Sequence, residues 1–133
     1  MRVLIADNQP KVRRALRVRL EQAGQVQIVG EAADAAGLLA RIETTAADLV
    51  LLDRDLPGRA MVELLSALRR ACPGVRVIVL SPRPEAGPAA LAAGADAFVS
   101  KADPAERLLA AIEKMSAAGG KAEQCSAHVY CAK

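Results

Sequence analysis

Short runs of aliphatic residues alternate along the chain with longer segments in which apolar residues recur every three or four positions. The run at 49–52 lacks polar alternation, which is typical of a parallel strand buried on both faces. The run at 26–29 is interrupted by glutamine and predicts a half-exposed edge strand. The predicted strands are 3–6, 26–29, 49–52, 75–80 and 97–99.

Five strands that alternate with five helical segments predict an α/β fold built on a doubly wound parallel sheet with helices on both faces. With the second strand at an edge, we expect the flavodoxin-like strand order 2-1-3-4-5. Pro10 and Gly24 mark the beginning and end of the first helix, and Asp34 is a candidate cap for the second. The segment 83–93 holds two prolines and a glycine, so its helix should be short and the least stable.

The chain of 133 residues has the length of one domain with its own core. Residues 1–117 carry the periodic pattern and are the predicted folded unit, and residues 118–133 are expected to form a flexible tail. Cys125, His128 and Cys131 in that tail could together bind Zn²⁺, but three potential ligands in such a segment are more often incidental.

Composition limits the classes of partner. The net charge is only +3, with 18 Lys and Arg against 15 Asp and Glu, and the chain has one Tyr, one Phe and no Trp. Proteins that bind nucleic acid usually cluster basic residues and use aromatic side chains to stack on bases. We therefore expect no direct nucleic-acid binding by this domain.

Hydropathy and cysteine usage indicate a cytoplasmic protein. The apolar run at the start is too short for a signal peptide, and no segment approaches membrane-spanning length. Cys72, Cys125 and Cys131 have no framework spacing, which favours reduced thiols in a reducing compartment.

Polar residues with complementary chemistry follow four of the predicted strands. Asp7 and Asn8 follow strand 1, Asp53 follows strand 3, Ser81 follows strand 4 and Lys101 follows strand 5. In the predicted strand order these four strands are neighbours, so the side chains should converge at one edge of the sheet. Two carboxylates, a hydroxyl and an ammonium suit phosphoryl transfer, with Asp53 as the nucleophile.

This arrangement resembles the receiver domain of bacterial two-component response regulators. The resemblance covers residues 1–117 and rests on the acid after strand 1, Leu-Asp-x-x-x-Pro-Gly at Asp53, the hydroxyl of Ser81 and Phe-x-x-Lys ending at Lys101. It implies that Asp53 takes a phosphoryl group from a sensor histidine kinase or a phosphotransfer protein. It also implies that the protein is a signalling domain whose chemistry acts only on itself, not an enzyme with a separate substrate.

The resemblance also implies a Mg²⁺ site. Its ligands would be Asp7, Asn8, Asp53 and the backbone carbonyl of Asp55. Most members have a second acid where Asn8 stands, and an amide oxygen supplies no charge. We therefore expect weak Mg²⁺ affinity.

A switch is implied by the same resemblance. Ser81 would move toward the phosphoryl group and Phe98 would turn inward behind it, changing the surface of helix 4, strand 5 and helix 5 that a downstream protein target recognises. A homodimer is left open. Pro82 departs from the pattern because it lacks the N–H that this position normally offers to the phosphoryl group.

Two other functions compete with the phosphoacceptor. Asn8 and Pro82 favour a receiver-like module that is never phosphorylated and only binds proteins. Asp53-Arg54-Asp55 is similar to the Asp-x-Asp of aspartate-nucleophile phosphatases, but the later acidic pair of those enzymes is missing. The retained Asp53, Ser81 and Lys101 favour the phosphoacceptor.

Overall fold

A five-stranded, all-parallel sheet with strand order β2-β1-β3-β4-β5 forms the centre of the protein, as the sequence predicts. The computed structural model describes residues 1–24 and 26–117. The strands are β1 (Arg2–Ala6), β2 (Gln27–Ala32), β3 (Leu49–Asp53), β4 (Arg76–Ser81) and β5 (Ala97–Ser100). The sheet is the flavodoxin-like α/β fold that the pattern of apolar runs indicates.

Five helices cover both faces of the sheet. Asp34 caps α2 by accepting a hydrogen bond from the Gly37 amide at 2.7 Å, and Gly24 ends α1 in the left-handed region at φ 75°. The helix before β5 has only six residues, as its prolines predict. The helices are α1 (Pro10–Ala23), α2 (Ala35–Thr45), α3 (Met61–Ala71), α4 (Gly87–Ala92), which a 3₁₀ turn at Pro84–Ala86 precedes, and α5 (Ala105–Ala117).

Alternate residues of the strands place their side chains on opposite faces of the sheet, in two separate hydrophobic cores. Leu52 points into the core beneath α2 and α3, together with Leu38 and Leu65. Leu51 points into the core beneath α1 and α5, together with Leu20 and Ile112. All five residues of β3 are buried, so the central strand holds its last residue, Asp53, in a fixed place.

The edge strand β2 is longer than predicted. It continues past Val29 to Ala32, and its pairing with β1 shifts register between Val3 and Leu4. Gly30 lies at this irregularity, where an added Cβ would come 2.9 Å from Leu4 Cδ2. The absence of a side chain at Gly30 leaves room for the close approach of Leu4 within this pairing.

One expectation from the sequence has a different outcome in the structure. Cys72 is fully buried and disulfide-bonded, so the expectation of reduced thiols is wrong for this residue. The predicted tail 118–133, with its candidate zinc ligands, lies outside the described residues. Within the part of the chain that is described, none of the helices has the length and apolar character needed to cross a membrane.

Candidate functional site

Polar side chains from four strands meet at the carboxyl edge of the sheet. Asp7 follows β1 directly, Asp53 is the last residue of β3, Ser81 is the last residue of β4, and Lys101 follows β5. Asp7, Asp53 and Ser81 are 2%, 5% and 0% exposed. Burial of two carboxylates is costly unless they are paired, so their partners define the site.

Lys101 joins the two carboxylates. Its Nζ lies 2.7 Å from Asp7 Oδ2 and 3.3 Å from Asp53 Oδ1. Lys101 follows the edge strand β5, which β3 and β4 separate from β1. Burial alone would lower the pKa of the Lys101 ammonium, but the hydrogen bond to Asp7 and the charges of Asp53 and Asp7 outweigh it, so its pKa lies above the ordinary value. Lys101 is therefore a fixed positive charge between two acids.

The two oxygens of Asp53 differ in their surroundings. Oδ1 accepts hydrogen bonds from the Asp55 amide at 3.2 Å and from Lys101. Oδ2 accepts none from the described residues. One oxygen thus fixes the orientation of the carboxylate, and the other keeps its lone pairs for a ligand or an electrophile.

The turn after β3 depends on a glycine. Gly58 has φ 114°, which L side chains rarely adopt, and a Cβ there would lie 3.1 Å from Ala35 Cβ. The preceding carbonyl, of Pro57, accepts the Ala35 amide at 2.9 Å. The turn is thereby attached to the start of α2, which holds Asp55 at the rim of the site.

Local hydrogen bonds from backbone amides to serine hydroxyls shape the turns that follow Ser81 and carry Lys101. The Ser81 hydroxyl accepts the Arg83 amide at 3.2 Å, and among the described residues no hydrogen bond joins it to Asp53. The hydroxyl of Ser100, which the sequence analysis did not single out, accepts the Ala102 amide at 3.1 Å and shapes the turn that carries Lys101.

Two of the predicted metal ligands lie at the exposed rim. Asn8 is exposed, and the carbonyl oxygen of Asp55 accepts no hydrogen bond from the described residues. The Asp55 side chain pairs with Arg54 at 3.1 Å. In the described part of the chain there is no group of three or more His, Cys, Asp and Glu that could hold a metal. All of the predicted metal ligands offer oxygen atoms, which is the type of ligand that Mg²⁺ prefers.

Phe98 of β5 lies two strands away from Asp53, with β4 between them, and packs against α4. The ring is half-buried and touches the core beneath α2 and α3. A Cβ at the buried Gly87 would lie 3.0 Å from Phe98 Cδ2, so the ring occupies the space that a side chain at this position would take. Phe98 pairs with Val79 of β4, so its side chain lies on the same face of the sheet as the side chain of Ser81.

An apolar groove of ≈ 400 Å³ separates α1 from α5 and reaches Lys101. Its floor includes Leu80 and Val99, and its walls include Leu16 and Leu108. The sequence analysis missed this feature, because amphipathic patterns show which face of a helix is buried but not how closely two helices approach.

Comparison with known proteins agrees with the fold. The family described as response regulator receiver domain matches residues 3–113. The chain is 36% identical over 101 residues to the fimbriae Z protein of Salmonella typhimurium, an alignment that covers 74% of this chain and 48% of that protein. The chain spans about half the length of the curated relatives it matches.

Two solved structures show the same likeness. A two-component response regulator of the LuxR family from Aurantimonas sp. superposes with a TM-score of 0.80 at 30% identity, covering 88% of this chain and 85% of that one. RcsB from Salmonella enterica serovar Typhimurium, bound to promoter rprA in the presence of the phosphomimetic BeF₃⁻, gives a TM-score of 0.76 at 28% identity and coverages of 87% and 98%. The fold and the carboxylate edge define a two-component signalling module. This chain belongs to the response regulator receiver domain family.

Proposed function

We propose that this receiver domain accepts a phosphoryl group on Asp53 from a sensor histidine kinase or a phosphotransfer protein, and that phosphorylation changes a protein-binding surface. The observation that carries the proposal is the half-buried Lys101 ammonium held between the buried carboxylates of Asp7 and Asp53 at the carboxyl ends of the strands. This set of groups combines a nucleophile with the positive charge that phosphoryl transfer needs. Residues 1–117 are the proposed receiver unit.

The transfer step follows from the two unlike oxygens of Asp53. Oδ2 attacks the phosphorus of a phosphohistidine, an O–P bond forms, the N–P bond breaks, and the imidazole nitrogen leaves with the bonding electron pair. The hydrogen bonds from the Asp55 amide and Lys101 to Oδ1 fix the orientation of the carboxylate while Oδ2 attacks the phosphorus. Lys101 then donates to a phosphoryl oxygen, and the Ser81 hydroxyl is placed to donate to another.

Asp7, Asn8, Asp53 and the Asp55 carbonyl are the residues that would hold Mg²⁺. When bound, Mg²⁺ supplies positive charge that neutralises phosphoryl oxygens. Because Asn8 contributes a neutral oxygen, the protein site itself carries only the charge of two carboxylates, and Lys101 already neutralises part of it. We infer weak binding of the metal.

Replacing Asn8 by aspartate should tighten Mg²⁺ binding by about 10-fold, because a third carboxylate would then face a hard cation. A titration of the metal into the metal-free protein gives the dissociation constant. Gln9→Glu is the matched control, since it adds the same charge at the next exposed position and should change the constant much less. Equal affinities in the Asn8→Asp variant and the natural protein would exclude residue 8 as a ligand.

The proposed switch links Ser81 to Phe98. Movement of Ser81 toward the phosphoryl group breaks its hydrogen bond with the Arg83 amide and shifts the segment before α4. Gly87 of that helix touches the ring of Phe98, so the shift alters the space available to the ring. The affected surface comprises α4, β5 and α5 and is the proposed contact for the downstream protein, with homodimerisation as an alternative response.

Pro82→Ala should strengthen binding of beryllofluoride in Mg²⁺ by roughly 10- to 150-fold, the equivalent of one restored charge-assisted hydrogen bond of about 1.5–3 kcal/mol. The natural Pro82 offers no N–H, and the next amide, of Arg83, is engaged by the Ser81 hydroxyl. Spectral change during titration gives the affinity. Pro84→Ala replaces an exposed proline two residues farther along the chain and should leave the affinity for beryllofluoride unchanged. Equal binding by the two variants would show that the missing amide is irrelevant.

The proposed function is tested by incubating the natural protein with acetyl phosphate and Mg²⁺ and measuring its intact mass. One added phosphoryl group is expected, and omission of Mg²⁺ should greatly reduce it. If the protein gains no phosphoryl mass at any Mg²⁺ concentration, the second candidate function is favoured, which is a receiver-like module that only binds proteins. Asn8 and Pro82 are the residues that favour the second candidate. Membership of the receiver family argues against the phosphatase alternative.

A further inference from the structure

Arg13 of α1 contacts the loop that carries Asp7. Its Nη1 donates to the backbone carbonyl of Asp7 at 2.6 Å, and its Nε donates to Glu31 Oε1 of β2 at 2.9 Å. The Arg13 side chain is 18% exposed, whereas its neighbour Arg14 is exposed. The guanidinium thus bridges the edge strand and the acidic loop, and its position differs from that of the solvated basic residues on the same helix.

Glu31 holds the guanidinium in place. Its second oxygen accepts from Arg17 Nε at 2.8 Å, so one carboxylate binds two arginines one helical turn apart. Burial would raise the pKa of Glu31, but the hydrogen bonds from Arg17 and Arg13 and their charges lower it below the ordinary value. Glu31 is therefore ionised at neutral pH, and Arg13 has a permanent anchor on β2.

Each polar group of Asp7 has a partner. Its amide donates to the Ala32 carbonyl at 3.0 Å, its Oδ1 accepts the Gln9 amide at 2.9 Å, and its Oδ2 binds Lys101. Arg13 holds the remaining group, the carbonyl. That carbonyl belongs to the peptide that connects Asp7 to Asn8, so its hydrogen bond restrains rotation of this peptide.

We propose that Arg13 is a positioning residue for the phosphoryl-accepting site: anchored by Glu31, it fixes the peptide between Asp7 and Asn8 and thereby directs the side-chain oxygens of both residues toward the metal position. This inference rests on the proposed function. Mg²⁺ demands near-ideal octahedral geometry, so a misdirected ligand is penalised strongly. Loss of a group that orients metal ligands typically costs roughly 10–100-fold in metal affinity.

Arg13→Met separates positioning from simple electrostatics, because the two predict opposite signs. Removal of a positive charge near the site should by itself tighten binding of a cation. Loss of positioning should weaken it, and we expect the dissociation constant for Mg²⁺ to rise about 10-fold. Phosphorylation by acetyl phosphate should slow at low Mg²⁺ and approach the natural rate at saturating Mg²⁺.

Two further variants serve as controls. Arg14→Met removes the same charge from an exposed position on the same helix and should leave Mg²⁺ affinity unchanged or slightly higher. Arg13→Lys keeps the charge but lacks the fork that reaches Glu31 and Asp7 together, so it should restore the affinity only in part. Full restoration by lysine would show that simultaneous contact of the guanidinium with Glu31 and Asp7 is not needed and would overturn the proposal.

Amide hydrogen exchange in metal-free protein gives a second readout. The Gln9 amide, which donates to Asp7, should exchange faster in Arg13→Met, while amides of β1 and β3 keep their protection. Unchanged Gln9 exchange with unchanged Mg²⁺ affinity would overturn the proposal, as would a uniform loss of protection across the sheet. If the natural protein fails to label with acetyl phosphate, the proposed function fails, whereas Gln9 exchange still reports whether Arg13 holds the loop.

Discussion

Asp53→Asn should gain no phosphoryl mass from acetyl phosphate and Mg²⁺ under conditions in which the natural protein labels fully. The side-chain amide of asparagine is a poor nucleophile, and the other buried carboxylate of the site, Asp7, has both oxygens engaged. Intact-mass measurement over time gives the labelled fraction. In the natural protein the added mass should be lost in hydroxylamine, as expected for an acyl phosphate.

Asp34→Asn is the matched control for this experiment, because it makes the same chemical change at an exposed helix cap that asparagine can also serve. It should label like the natural protein. Asp53→Asn should also keep its thermal midpoint or melt slightly higher, since removal of one of two neighbouring buried carboxylates relieves repulsion. Labelling of Asp53→Asn at a normal rate would assign the phosphoryl group to another residue.

Lys101→Met should slow phosphorylation on the order of 100-fold, which is the usual cost of losing one donor to charge that develops in the transition state. The same variant should lose about 1–3 kcal/mol of unfolding free energy in the absence of metal, because the two buried carboxylates then lose the positive charge between them and Asp7 Oδ2 loses its donor. Mg²⁺ should recover much of that stability, since a cation then returns to the two carboxylates.

The measurements are the labelling rate with acetyl phosphate and denaturant unfolding with and without Mg²⁺. Lys114→Met, at an exposed position of α5, is the matched control and should change neither quantity. A Lys101 variant that labels normally would remove this ammonium from the proposed phosphoryl site. A variant with natural stability in metal-free buffer would show that solvent already compensates the two acids.

The fold could be predicted because its signals are local and agree with one another. The unbroken aliphatic run of β3, the glycines at helix ends and the prolines around α4 each report on a few adjacent residues. The strand order followed from one long-range inference, the half-exposed character of β2. The extension of β2 to Ala32 was missed, because the room that Gly30 leaves for Leu4 is a property of the strand pairing and not of the local sequence pattern.

The main acids and the lysine of the candidate site were also predictable, since parallel strands bring their carboxyl ends to one edge. The contacts that orient them were not. Arg13 lies six residues after Asp7 and eighteen before Glu31, within a helix that carries several other arginines. Which arginine turns inward depends on the position of α1 over β2, a property of packing that residue order alone does not determine.

Phosphorylation of Asp53 is tested most directly by mapping the modified residue. Borohydride reduces an aspartyl phosphate to homoserine, and trypsin, which cuts after Arg41 and Arg54, releases the peptide 42–54 with Asp48 and Asp53 as its only aspartates. After treatment of the natural protein with acetyl phosphate and Mg²⁺, fragmentation of this peptide should show homoserine at position 53 and unchanged aspartate at position 48. Homoserine at any other position, or an unmodified peptide from protein that has gained the phosphoryl mass, would contradict Asp53 as the phosphoacceptor.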